Sequence, residues 1–205
     1  SSKSGFPRMK TSDGLRLILA SSGARGSRLA EKFLEILLNN ERVGKVHFLA
    51  SEAFEEVLSA EESTTLGETI DRHRKNDKFF LHDCDDFGAP FSSGSYRHDG
   101  MVILPLSMAS LGAIASGAHR DLVHRAADVT LKEERKLILC PRETPLSLIH
   151  LRNLVAVREA GATVLPFIPA YYTRPKTIED LENDFFQKIL DHLGLENTIS
   201  PRWGS

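Results

Sequence analysis

The feature that most constrains this chain is a sustained alternation of element type. Five short apolar runs, Leu15–Ala20, Lys45–Ala50, Met101–Pro105, Lys136–Cys140 and Thr163–Ile168, are separated by segments with helical spacing. Runs this short, apolar throughout rather than alternating, are read as strands buried on both faces. Arg28–Leu38 carries Leu29, Phe33, Leu34, Leu37 and Leu38 on one stripe, the mark of a helix with one buried side. Further helices are expected at Glu52–Ala60, Ala109–Ser116, Leu122–Glu134, Leu148–Ala160 and Ile178–Leu193. The stretch Thr64–Tyr96 is the least regular, with one possible strand at Lys78–Leu81. Alternation of this kind predicts an α/β, single-domain, doubly wound parallel sheet with helices on both faces.

Composition narrows the function classes. With 205 residues, 41% of them hydrophobic, the chain can bury one full-sized core. The formal net charge is −2 and the charges are interspersed, so no polyanion-binding surface and no nucleic-acid partner are expected. The longest apolar runs, such as Met101–Leu106, are too short to cross a bilayer, and Ser1–Gly14 is polar, without the apolar stretch of a signal peptide. Residues 1–14 are read as a flexible arm, 15–195 as the folded domain and 196–205 as a tail packing near the site or a neighbouring subunit. Cys84 and Cys140 are too few for a disulfide framework or a four-ligand zinc site and are read as reduced thiols in a cytoplasmic protein. Asp83-Cys84-Asp85-Asp86 is read as a solvated loop, and the eight histidines lack ligand spacing, so no metal is assigned.

The predicted topology locates the ligand edge. In open α/β sheets, ligands bind beyond the carboxyl ends of the strands. Those ends run into Ser21-Ser22-Gly23-Ala24-Arg25-Gly26, Ser51, Ser107-Met108-Ala109-Ser110, Pro141-Arg142-Glu143-Thr144-Pro145 and Pro169-Ala170-Tyr171-Tyr172. Small, hydroxylic and charged residues converge there, several at helix N-termini, where free N–H groups and the helix dipole suit a phosphate. The Gly23–Gly26 turn fits neither common nucleotide-binding glycine pattern and reads equally as a tight connection without ligand. Arg142 beside Glu143 could orient an anion and supply an acid or base, or form a structural ion pair. Arg125 and Lys132, seven residues apart, share a helix face that is either a solvated basic stripe or, given Ala126-Ala127, partly buried. Trp203, the only tryptophan, either anchors the tail or closes over a site.

Taken together, the segments resemble the flavin prenyltransferase (UbiX) family, long labelled aromatic-acid (3-octaprenyl-4-hydroxybenzoate) decarboxylases. The resemblance is carried by Ser93-Gly94-Ser95, Gly100-Met-Val-Ile-Leu-Pro-Leu-Ser107, Arg125-Ala-Ala-Asp-Val-Thr-Leu-Lys132-Glu and Pro141-Arg-Glu-Thr-Pro-Leu-Ser-Leu-Ile-His-Leu-Arg152-Asn. It continues through Gly161-Ala-Thr-Val-Leu-Pro166, Pro169-Ala-Tyr-Tyr172, Arg174-Pro175, Ile178-Glu-Asp-Leu181 and Pro201-Arg-Trp203-Gly. It spans nearly the whole chain from Leu15 and is weakest over Glu62–Pro90.

The resemblance implies a Rossmann-like, flavoprotein-type fold and a metal-independent transfer. A dimethylallyl group passes from dimethylallyl phosphate to N5 and C6 of reduced FMN, and the product serves a separate UbiD-type decarboxylase, as in ubiquinone biosynthesis. Carried over residue by residue, Lys132, Tyr172 and Lys188 would hold the substrate phosphate with Arg142 close by, and Glu143 and Glu61 would move protons. Gly23, Ala24, Arg25, Ser51, Ser107, Met108, Ala109, Ser110 and Arg142 would contact FMN, with Arg125 and Trp203 completing the pocket across subunits of a homododecamer. Two departures stand out. Many relatives have Arg at the position of Lys188, and Lys gives up bidentate geometry. The family turn Gly-Ala-Ser-Gly reads Gly23-Ala24-Arg25-Gly26 when the following helix is aligned without a gap, so Arg25 replaces a hydroxyl; the alternative alignment uses Ala20-Ser21-Ser22-Gly23 and inserts three residues into the turn. That change motivates a second reading, a non-catalytic FMN-binding protein. A third, a flavin-dependent cysteine-type decarboxylase, lacks its early His and later Asn-containing signature here.

Overall fold

The computed structural model describes residues 14–22, 27–50 and 71–201. The helix expected at Glu52–Ala60 and the candidate site residues Gly23, Ala24, Arg25, Ser51, Glu61 and Trp203 lie outside the described residues.

Six strands, β1 (Leu15–Ser21), β2 (Val43–Ala50), β3 (Phe79–His82), β4 (Gly100–Leu106), β5 (Leu137–Pro141) and β6 (Thr163–Val164), form one sheet in the order β3-β2-β1-β4-β5-β6. Every pairing is parallel. Leu17 of β1 pairs with Val46 on one side and Gly100 on the other. The chain therefore winds outward from β1 to β3 and returns on the opposite side at β4. That reversal leaves a crevice at the carboxyl ends of β1 and β4.

Strand alternation divides the core into two layers. Leu17, Leu19, Val46, Phe48 and Val102 pack under helices α1 (Ser27–Asn39) and α5 (Ile178–Leu193). Ile18, Ala20, Leu49, Met101 and Ile103 face the other way, under α2 (Met108–Ser116) and α3 (Leu122–Lys132). Adjacent residues of one strand thus enter opposite layers, the period-two consequence of a pleated backbone. The α1 stripe read from the sequence is buried: Phe33, Leu34 and Leu37 are at most 1% exposed, and the Phe33 ring lies 5.5 Å from that of Phe186.

Caps explain several boundaries. Thr177 Oγ1 accepts from the Asp180 N–H at 3.1 Å, while Asp180 Oδ2 accepts from the N–H groups of Lys176 and Thr177 at 2.8 and 2.9 Å. Those backbone donors hold the Asp180 carboxyl below its ordinary range. This capping box fixes the start of α5 at Ile178, and Gly194, at φ 76°, ends the helix in the left-handed conformation.

Two expectations need correction. The last strand was expected to run to Ile168 but ends at Val164, because Pro166 and Pro169 cannot donate to a ladder. The helix expected to reach Glu134 ends at Lys132, with Glu134 in the left-handed region at φ 53°. The possible strand near Lys78–Leu81 is present as β3, pairing with β2.

Candidate active site

The carboxyl ends of β1 and β4 are tied together by serine. The Ser22 N–H donates to the Pro105 carbonyl at 3.0 Å, and Ser22 Oγ accepts from the Ser107 N–H at 3.1 Å. Ser107 then caps α2, its Oγ accepting from the Ser110 N–H at 3.1 Å. The first turn of α2 is thereby aimed at the crevice with its dipole favouring an anion. Ser21, at the end of β1, is fully buried, and its Oγ has no hydrogen-bond partner among the described residues.

β5 ends at Pro141, in register with Leu106 of β4, which sets Arg142 and Glu143 beside that crevice. Both are exposed, and Glu143 Oε1 accepts from the Thr144 N–H at 3.0 Å. Helix α4 (Leu148–Glu159) follows, started by a Ser147–His150 capping box.

A cleft of about 780 Å³ opens here. Ser22, Ser107, Arg142 and Glu143 supply its polar groups, while Met108, Leu154, Val164, Phe167 and Ile168 give it an apolar wall. A second cavity of about 340 Å³ shares Pro166 and Ile168 with it and carries Tyr172, Lys188 and Asp184. The two spaces therefore adjoin. The larger space has an apolar wall and a polar edge, and the smaller carries the Lys188 ammonium beside the Asp184 carboxylate.

The sequence-predicted residues divide as follows. Ser107, Met108, Arg142 and Glu143 share the cleft, and Tyr172 and Lys188 share the second cavity. Ala109 is exposed on the first turn of α2. Ser110 is buried and lines neither cavity: its Oγ lies 3.0 Å from His124 Nε2. Asp121 Oδ1 is 3.3 Å from His124 Nδ1, so the three resemble a hydrolase triad in outline. A serine closed off from both cavities cannot attack a substrate, and the set instead locks α2 to α3. Burial keeps the His124 pKa below its ordinary value.

Arg125 and Lys132 lie on α3 and line neither cavity. The Arg125 Nε donates to the Ser92 carbonyl at 3.1 Å, holding the turn before Ser93-Gly94-Ser95. Lys132 is 59% exposed, with Nζ 3.6 Å from Glu133.

Sequence reasoning missed two groups. Asp184 enters the wall of the second cavity as the buried carboxylate one turn before Lys188, and the i,i+4 spacing was its available signal. His47 forms a buried chain, with Nδ1 2.8 Å from His82 Nε2 and Nε2 2.7 Å from the Tyr96 hydroxyl. Their spacing of 35 and 49 residues left no local trace. Cys84 and Cys140 are buried and neither is in a disulfide, and burial pushes the Cys140 thiol pKa far up, away from the thiolate form that reacts. Among the described residues, no helix is long and apolar enough to cross a membrane.

A doubly wound sheet with a serine-tied crevice and an apolar, arginine-edged cleft defines the α/β flavoprotein class, and the Flavoprotein family profile matches residues 7–189. The flavin prenyltransferase UbiX of Alkalihalophilus pseudofirmus is 46% identical over 193 residues, covering 90% of this chain and 92% of that one. Among solved structures, AnUbiX (PadA1) in complex with FMN and dimethylallyl pyrophosphate superposes with a TM-score of 0.83 at 39% identity, covering 94% of this chain and 98% of that one. A dodecameric FMN-dependent UbiX-like decarboxylase from Escherichia coli O157:H7 gives 0.84 at 37% identity, covering 93% and 100%. This chain belongs to the flavin prenyltransferase (UbiX) family.

Proposed function

We propose that this chain transfers the dimethylallyl group of dimethylallyl phosphate to N5 and C6 of reduced FMN. The observation that carries the proposal is the junction of the two cavities. The serine-tied, apolar cleft suits the flavin, and the space with Tyr172 and Lys188 suits the phosphate ester beside it. Membership of the family supports the same reaction.

Reduced FMN supplies the nucleophilic ring. Ser107, Met108 and Arg142 are assigned to holding it, together with Ala109 on the same helix turn and Gly23, Ala24, Arg25 and Ser51; Ser110, bonded to His124 and lining neither cavity, drops out of the set read from the sequence. The N-terminus of α2 and the Arg142 guanidinium offer donors and positive potential for its phosphate. Lys132, Tyr172, Lys188 and Arg142 are assigned to the ester phosphate. As the allylic C–O bond ionises, negative charge grows on the departing oxygen, and fixed cations and donors favour that state over the ground state. This is how the reaction proceeds without a metal. Glu143, steered by the Thr144 N–H, moves a proton from the flavin toward the departing phosphate, with Glu61 as a second acid/base.

Arg125 and Lys132 line neither cavity of their own chain, so a neighbouring copy is assigned to deliver them, with Trp203, to the site. Exposed apolar side chains, Leu148, Ile149, Ile168 and Tyr171 among them, support such an assembly, and a dodecamer is the proposed state. Residues 15–195 are assigned as the FMN-binding domain, while the arm and most of the tail read from the sequence at 1–14 and 196–205 reach outside the described residues. The product is passed in the cytoplasm to a UbiD-type decarboxylase, as in ubiquinone biosynthesis.

The test is anaerobic incubation with reduced FMN and dimethylallyl phosphate, followed by mass spectrometry of the extracted flavin. A gain of one C5 prenyl unit is expected, and Glu143→Gln retains FMN while the product fails to accumulate. Unchanged FMN from the wild-type protein, with binding demonstrated, would point instead to a non-catalytic flavin-binding protein, and restored activity in Arg25→Ser would trace the defect to Arg25.

A further inference from the structure

Helix α5 places Asp184 and Lys188 one turn apart on the wall of the second cavity. The Asp184 side chain is 8% exposed and that of Lys188 44% exposed, with Oδ2 and Nζ 3.8 Å apart. A carboxylate this buried is costly unless a cation accompanies it. Among the described residues, Lys188 is the cation within ion-pairing distance of it. The acid stands N-terminal to the base, the orientation in which an i,i+4 pair attracts best. A half-exposed lysine otherwise spreads its ammonium over many rotamers, most of them in solvent. The buried carboxylate narrows that freedom, and Tyr172 lines the same cavity.

We infer that Asp184 is a positioning residue: it holds the Lys188 ammonium at the cavity wall, where Lys188 receives the anionic group of the substrate. The inference rests on the assignment of Lys188 to the substrate phosphate. Asp184 makes no bond to the substrate and acts through Lys188 alone. It stands in for the rigidity that a lysine side chain lacks.

The test uses inorganic phosphate as the probe, so that it does not depend on turnover. Calorimetric titration of the FMN-loaded protein compares wild type, Asp184→Asn, Lys188→Met and the double variant. Asp184→Asn weakens phosphate binding about fivefold, and Asp184→Glu, which restores the charge, recovers most of it. Lys188→Met weakens binding at least as much, and Asp184→Asn adds nothing in that background. In turnover, Asp184→Asn raises KM for dimethylallyl phosphate more than it lowers kcat. Phosphate bound by Asp184→Asn as tightly as by wild type, or a further loss in the Lys188→Met background, overturns the inference. Should the Asn variant not fold, Asp184→Ser is read by the same criteria. A wild-type protein that binds phosphate through Lys188 yet forms no prenylated flavin refutes the proposed function and leaves the positioning role standing. If Lys188→Met binds phosphate normally, the inference falls with the assignment it rests on.

Discussion

Two buried histidines make the stability of this fold sensitive to mild acid. His47 and His98 are 4% and 6% exposed, and each pKa is lowered from 6.5 to about 4. For His47 burial is the largest cause, followed by the charges of His82, Lys45, His98 and Arg16. For His98 burial again leads, then Arg135, opposed by the Gly100 backbone and Asp99. The unfolded chain binds protons on these rings near pH 6.5 and the folded chain does so near pH 4. Between those values the unfolded state holds more protons, so stability rises with pH and falls on acidification. From pH 7 to pH 5 the loss is about 2 kcal/mol for each ring, a large share of a typical domain's 5–15 kcal/mol. His82 and His124 are shifted in the same direction by burial and add to the trend. The assay is urea unfolding followed by circular dichroism at pH 7, 6 and 5, at fixed subunit concentration because assembly couples to folding. His98→Leu is the control variant. Thr130 Oγ1 lies 3.3 Å from His98 Nε2 but also donates to the Ala126 carbonyl at 2.6 Å, so losing the imidazole strands no donor. The variant is expected to lose about 2 kcal/mol less than wild type over that range. Equal wild-type stability at pH 7 and pH 5, or an unchanged pH dependence in His98→Leu, refutes the reasoning.

The remaining predictions concern the core and the crevice. Phe33→Ala removes a fully buried ring packed against that of Phe186 and is expected to cost about 3–5 kcal/mol, read as a shift in the urea midpoint. Ser107→Ala deletes the cap of α2 and is expected to cost about 1 kcal/mol of stability, read in the same way, and to weaken FMN binding measured by flavin fluorescence.

The sequence disclosed the fold where hydrophobic periodicity was strong and lost it where proline or distance intervened. The α1 stripe and the run Met101–Pro105 each name an element with one packing solution, and both are present as read. The strand after Gly161 stops early because periodicity carries no information about the missing donors of Pro166 and Pro169. The polar edge was also legible, since Ser107 and Arg142 directly follow buried strands, with Glu143 one residue on, and so must emerge at the carboxyl end of the sheet. What was not legible depends on contact between distant segments or on a neighbour's chemistry. His47 meets His82 and Tyr96 only because β2 and β3 are aligned and the turn after Pro90 folds back over them. Asp184 reads as one more acid on the polar side of an amphipathic helix until the segment after β6 is laid against α5, making that side a cavity wall. Once it is, a solvated i,i+4 pair becomes a half-buried one. The same two residues then pass from a surface contribution near zero to control over where a cation stands.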